Sequence, residues 1–226
     1  MLKDFVSKAF YINLDFRTDR KEHTEKFLKA LGIENYERFD AIKTNIGYHG
    51  YLFSQVAILE KAIEENLEYV LICDDDLTIE DEYLENFLRD TELFFKNIKD
   101  WDVLMLGGEI KELPRKRKAY CMKTRAVRSC PAYLIRRHYF ETYHKCLKQR
   151  QEALKKRPDV RRESINAADT CIRHLQRKHN WYMIYPYGLI QKADFSDISN
   201  DFRDYGKSMR NIDQRILKRI PPIEID

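Results

Sequence analysis

No two cysteines in the 226-residue chain stand in a C-x-x-C pair; the five present, Cys73, Cys121, Cys130, Cys146 and Cys171, are odd in number and widely scattered. That spacing signals neither a structural zinc site nor a thioredoxin-like motif, and reduced thiols in a cytosol-like compartment are the simplest expectation. No apolar run approaches the about 18 residues a membrane-spanning helix requires. The opening Met1-Leu2-Lys3-Asp4-Phe5-Val6 has no sustained apolar core of a secretory leader. A soluble, cytoplasmic chain is expected. Internal repeats and low-complexity segments are also absent, which excludes repeat arrays.

What is present is an ordinary globular composition, with 43% hydrophobic, 12% aromatic and 35% charged residues. Wholesale disorder is excluded, and the length suits one domain, residues 1–226. The formal net charge of +4 conceals an asymmetry. Between Glu60 and Asp100 there are 14 acidic and 4 basic residues, a net of −10; between Lys111 and Arg162 there are 18 basic and 4 acidic, a net of +14. The basic stretch is open to a nucleotide, an anionic acceptor, nucleic acid or a membrane surface on which the protein sits peripherally, or is simply a solvated face.

Periodicity organises the first half. Ala9 to Leu14 reads as a buried strand ending in polar residues, followed by a helix from Thr18 that Gly32 stops. Tyr36 to Ile42 reads as a second strand, and Gly47 and Gly50 as flanks of a polar turn before a helix that reaches Asn66. Tyr69 to Asp76 is a third strand, Asp81 to Ile98 a helix, and Asp102 to Leu106 a strand running into Gly107-Gly108. This alternation predicts a parallel α/β sheet with ligands beyond the carboxyl ends of its strands. Farther on, Ala119 to Thr124, Ala132 to Ile135 and Trp181 to Tyr185 read as strands. Arg137 to Lys156 and Ser164 to Lys178 read as helices, and the tail from Lys192 as polar and aperiodic.

The most informative element is Tyr69-Val70-Leu71-Ile72-Cys73-Asp74-Asp75-Asp76, an apolar strand that delivers three carboxylates where it must end. Side chains alternate along a strand, so Asp74 and Asp76 are expected on one side and Asp75 on the other. Two convergent carboxylates are hard oxygen ligands for Mn²⁺ or Mg²⁺, with room for phosphate oxygens. The plain alternative is an acidic turn that caps the following helix.

Phe10-Tyr11-Ile12-Asn13-Leu14-Asp15-Phe16-Arg17-Thr18-Asp19-Arg20 resembles the opening of glycosyltransferase family 25, which contains lipooligosaccharide and collagen hydroxylysine galactosyltransferases. Phe39-Asp40-Ala41, Gly50 to Ala62, Leu71 to Asp76, Trp101 to Gly107, and Gln191 with Ser196-Asp197-Ile198 resemble later motifs of that family in the same order. The likeness spans Phe10 to Ile198. It departs at Cys73-Asp74, where the family has a different pairing, and in the unusually basic 111–162 region.

The resemblance implies a GT-A-type, Rossmann-like nucleotide-sugar fold, a mixed and mostly parallel sheet flanked by helices. It also implies metal-dependent inverting transfer of a hexose, usually galactose, from a UDP-sugar to a glycan or hydroxylysine hydroxyl. On this view residues 1–110 bind the nucleotide sugar, 111–200 face the acceptor, and 201–226 form a polar tail. Asp74 and Asp76 hold the cation, with Asp75 or Asp76 acting through water. Asn13 reaches the base or ribose, Arg17 and Arg20 reach the diphosphate, and Gln191 and Lys192 belong to a loop that closes over it. Leu14, Asp40 and Ala41 fall where the resemblance puts nucleoside contacts. An inverting reaction needs a general base, for which Asp169 is the first candidate and Glu109, after the two glycines, the second.

Two other functions compete. A nucleic-acid-binding module would use the basic segment with Tyr120, Tyr133 and Tyr139 interleaved, but such a binder has no need of a carboxylate triplet. A catalytically silent relative would keep the fold without turnover.

Overall fold

The computed structural model describes residues 1–159, 168–210, 216 and 218–223, with Asp169 and Thr170 placed by backbone alone. The strands are β1 Lys8–Asn13, β2 Tyr36–Asp40, β3 Tyr69–Asp74, β4 Leu77–Thr78, β5 Val103–Met105, β6 Glu109–Ile110 and β7 Lys116–Arg117. They continue with β8 Cys121–Lys123, β9 Val127–Arg128, β10 Ala132–Arg136, β11 Trp181–Ile184, β12 Ile190–Gln191, β13 Asp194–Ser196 and β14 Asp201–Arg203. The α-helices are α1 Thr18–Ala30, α2 Gly47–Glu64, α3 Asp81–Asn97, α4 Phe140–Lys155, α5 Ala168–Cys171, α6 Arg173–Lys178 and α7 Tyr205–Arg210.

Eight strands form one sheet in the order β2-β1-β3-β10-β5-β11-β8-β7. Strands β10 and β8 run antiparallel to both of their neighbours, so the other six share one direction and the sheet is mixed but mostly parallel. Strand β10, from a later hairpin-rich region, is inserted between β3 and β5.

Alternation along the strands feeds two cores. Phe10, Ile12, Val70, Ile72, Val103, Met105, Tyr133 and Trp181 point to one face, where Leu52 and Val56 of α2 and Phe140, Tyr143 and Leu147 of α4 cover them. Ala9, Tyr11, Leu71, Cys73, Leu104 and Leu134 point to the other, beneath Leu28 of α1 and Phe87 and Phe94 of α3. The result is a helix–sheet–helix sandwich in which each fully buried large apolar side chain contributes about 1.5–3 kcal/mol.

Two expectations are corrected. Gly47 and Gly50 do not flank a turn but form the first turn of α2. Gly50 is needed there because a Cβ would lie 2.0 Å from the Ile42 carbonyl oxygen. The aperiodic tail contains the β13–β14 hairpin and α7, with pairs Asp194↔Arg203, Phe195↔Phe202 and Ser196↔Asp201. The part of the expected Ser164 to Lys178 helix before residue 168 lies outside the described residues. Among the described residues, no helix is long and apolar enough to cross a membrane.

Candidate active site

Parallel pairing of β1 with β2 and β3 puts Asn13 opposite Asp40, and Ile12 opposite Asp74, so three polar strand ends share one edge of the sheet. A cleft of about 760 Å³ opens there. That is within the range of small-molecule sites, and it lies where ligands gather in open α/β sheets. Its floor contains Leu14, Ala41 and Asp74 to Asp76; the loop from Ile42 to Tyr48 forms one wall, and Gln191, Lys192 and the β13–β14 hairpin another.

The three aspartates meet different partners. Strand β3 ends at Asp74, whose Oδ1 accepts from the Tyr51 hydroxyl at 2.7 Å and whose Oδ2 accepts from Gln191 Nε2 at 2.8 Å. Asp75 turns inward, accepting from Asn13 Nδ2 at 2.7 Å and Arg20 Nη1 at 2.8 Å. Asp76 Oδ2 lies 3.3 Å from the same Arg20 nitrogen. Burial pushes the Asp76 carboxyl up to about 7, opposed by Arg20 and by the Gln191 amide. The Gln191 amide thus donates to Asp74 and lowers the Asp76 carboxyl from nearby. It is carried there by pairing of β12 with β4, Gln191 opposite Leu77, and by the Lys192 backbone N–H, which donates to the Asp76 carbonyl at 2.8 Å.

Two buried acceptors beside this cluster, Asp76 Oδ1 and Gln191 Oε1, have no hydrogen-bond partner. Buried acceptors in that condition are costly, and a divalent cation satisfies them. No cluster of three or more His, Cys, Asp or Glu arranged around a metal position occurs among the described residues. The donor set therefore fits a cation that keeps water and phosphate in part of its shell, as Mg²⁺ and Mn²⁺ do, and not a closed protein cage.

Opposite charge lies alongside. Arg20 Nε donates to Asp194 Oδ2 at 3.1 Å and Arg20 Nη2 to the Phe195 carbonyl at 2.9 Å. Arg17 Nη2 reaches Asp194 at 2.7 Å, and its Nη1 reaches Asp197 at 2.8 Å. Hydrogen bonds to Asp19, Asp197 and Asp194 hold the Arg17 guanidinium well above its ordinary range. Arg17, just outside the cleft lining, thus ties the start of α1 to the hairpin, while Arg20 spans floor and hairpin. The expected diphosphate ligands are engaged by carboxylates.

The other expected residues divide. Leu14, Ala41, Asp75, Gln191 and Lys192 line the cleft together with Asp74 and Asp76. Asn13 is 1% exposed and sits below the floor, donating to Asp75 and the Arg17 carbonyl, with its own Oδ1 accepting from Arg38. Asp40 is exposed and ion-paired with Arg38. Glu109, in β6, pairs with Lys111 at 2.5 Å and is not part of the lining. Asp169 follows Ala168, which lines the cleft at the start of α5; the Asp169 side chain lies outside the described residues.

Sequence reasoning did not place Tyr51, Tyr48, Ser199, Asn200, Arg203 or Tyr205 at the cleft, where they line it. For Tyr51 a signal existed: it opens the apolar face of α2, the helix that packs on β3. The hairpin residues carry none, because strands of three residues are too short for periodicity.

The tyrosines interleaved in the basic segment are not stacking platforms. Tyr120, Tyr133 and Tyr139 are 4%, 2% and 3% exposed. Base stacking needs open ring faces, so these tyrosines give the nucleic-acid reading no support.

No protein-family model and no curated protein matches the chain. Solved structures resemble it at low identity. A glycosyltransferase involved in glycosylation of the major capsid of PBCV-1 is 11% identical, with a TM-score of 0.49 over 78% of this chain and 80% of that one. A Drosophila β-1,4-galactosyltransferase 7 variant in complex with manganese, UDP-Gal and xylobiose is 11% identical, with a TM-score of 0.45 over 92% and 80%. UDP-glucose pyrophosphorylase complexed with UDP-glucose is 10% identical, with a TM-score of 0.43 over 83% and 92%.

Proposed function

We propose that the protein is a metal-dependent inverting glycosyltransferase that moves a hexose, galactose by resemblance, from a UDP-sugar to a hydroxyl of a glycan or of hydroxylysine. The observation that carries this reading is the cluster at the end of β3. Asp74 accepts from the Gln191 amide, and Asp76 Oδ1 and Gln191 Oε1 remain unsatisfied in a cleft of about 760 Å³. Asp74 and Asp76 would hold Mn²⁺ or Mg²⁺, which when bound supplies positive charge to the departing diphosphate.

The chain's own residues do the rest. Arg20, and Arg17 once the hairpin shifts, turn guanidinium groups toward phosphate oxygens. Tyr51 fixes the rotamer of Asp74 through its 2.7 Å hydrogen bond. Leu14, Ala41 and the Ile42 to Tyr48 loop offer an apolar wall to the nucleoside, and Lys192 adds charge at the opposite rim. Asp169, on the helix whose first residue lines the cleft, takes the proton of the acceptor hydroxyl. Glu109 is the reserve candidate for that role.

The test is hydrolysis of a panel of UDP-hexoses with and without Mn²⁺, followed by a search for the acceptor that accelerates UDP release. Hydrolysis that requires the metal and is lost in Asp74→Ala and Asp76→Ala supports the reading. A folded protein that turns over no nucleotide sugar and binds none refutes it; binding without turnover identifies a silent relative.

A further inference from the structure

Cys146 stands on α4 and Cys171 closes α5, 25 residues apart in sequence, yet Cys146 Sγ lies 3.5 Å from the Cys171 carbonyl oxygen. The neighbouring Cys171, aided by nearby Arg150, holds the Cys146 thiol below its ordinary range. The remaining cysteines differ. Cys73 and Cys121 are 1% exposed, and burial pushes both thiols up, Cys121 to about 12. The Cys130 thiol donates to the Ala132 carbonyl at 2.9 Å. Of the pair, Cys171 is the more accessible, being half-buried, whereas Cys146 is 9% exposed.

We propose that Cys146 and Cys171 are a redox-modifiable dithiol, which a low-molecular-weight disulfide oxidises to an internal bond fastening α5 to α4. The approach of Cys146 Sγ to 3.5 Å from the Cys171 carbonyl oxygen brings the two residues within reach of such a bond. The more accessible Cys171, as thiolate, attacks one sulfur of the small disulfide and expels one small thiolate, which takes up a proton. Cys146, as thiolate, then attacks the Cys171 sulfur of the mixed disulfide and expels the second small thiolate, also protonated. Two protein thiols and one small disulfide become one protein disulfide and two small thiols.

The pair lies next to the cleft. The Cys171 thiol donates to the Ala168 carbonyl at 3.0 Å, and Ala168 lines the cleft wall. Oxidation removes that donor while pinning α5, so the state of the pair is felt at the wall. This holds whatever the cleft binds.

The test incubates the full chain with oxidised glutathione, alkylates the remaining thiols under denaturing conditions and maps the peptides by mass. The expected result is a Cys146–Cys171 crosslink, a mass lower by about 2 Da before alkylation and two fewer alkylated thiols, all reversed by dithiothreitol. Cys146→Ser is expected to trap a glutathione adduct on Cys171, and Cys171→Ser to stay unmodified at Cys146. All five cysteines alkylated in the oxidised wild type, a stable glutathione adduct in place of the crosslink, or a crosslink between other cysteines would each overturn the proposal. The wild-type map decides the matter even where a serine variant fails to fold.

Discussion

Arg17 Nη2 donates to Asp194 Oδ2 at 2.7 Å across 177 residues of sequence, binding the start of α1 to the β13–β14 hairpin. Arg20 takes the same Asp194 oxygen at 3.1 Å, so one hairpin carboxylate answers two guanidinium groups beside the aspartate cluster. Under the proposed function, an incoming diphosphate competes with that carboxylate. The expected outcome for Asp194→Asn is tighter UDP binding, roughly tenfold or about 1.4 kcal/mol, the size of one charge-assisted hydrogen bond. Calorimetry at low salt checks it. Weaker binding by Asp194→Asn would mean that Asp194 orders the arginines for the ligand and does not compete with it.

The cation is tested apart from turnover. Mn²⁺ is expected to raise the affinity for UDP, and Asp76→Asn to abolish that increment while circular dichroism and melting temperature stay near wild type. Equal UDP affinity with and without Mn²⁺ in the wild type would sink the metal assignment. Asp74→Asn is expected to behave similarly, and Tyr51→Phe, which removes only the hydroxyl donor to Asp74, to lose part of the increment.

Asp169 and Glu109 make opposite forecasts. With Asp169 as general base, Asp169→Asn keeps donor affinity and fold but lowers kcat for transfer by at least about 10²-fold. Glu109→Gln stays near wild type, since Glu109 pairs with Lys111 away from the lining. Measuring kcat, donor Kd and melting temperature for both variants decides; near-wild-type transfer by Asp169→Asn retires the assignment.

Gly107 opens a Gly-Gly pair, which leaves room for a close approach to the backbone. The backbone fills that room: Leu189 N–H donates to the Leu106 carbonyl at 2.7 Å, and a Cβ on Gly107 would lie 1.8 Å from the Leu189 oxygen. Gly107→Ala is therefore expected to cost about 3 kcal/mol or more in urea unfolding, by forcing two backbones apart. A loss under about 1 kcal/mol would show that the segment before β12 relaxes freely.

Strands β1, β3 and β5 are legible because each is a short apolar run ending in polar residues, and the fold class follows from the helices between them. Asp74 to Asp76 are legible as an acidic cluster at the sheet edge because they are contiguous and lie at a strand end. The position of Asn13 at the strand end is visible in sequence, but its burial under Asp75 and Arg38 depends on three separate elements. Tyr120, Tyr133 and Tyr139 look interleaved with cations in sequence, yet a sheet or helix sorts them to the buried side.

Local periodicity is a property of neighbouring residues, so the sequence by itself determined the strand and helix segments, the two apolar faces of the sheet and the acidic end of β3. Which distant segments meet depends on how the chain pairs after collapse, and no local pattern encodes it. The tertiary structure alone decided that β10 separates β3 from β5, that Gln191 stands between Asp74 and Asp76, that Asp194 occupies Arg17 and Arg20, and that Cys146 reaches Cys171. Each of these contacts joins residues far apart in sequence, where the stabilisation comes from burial and hydrogen bonding between surfaces that neither segment shows by itself.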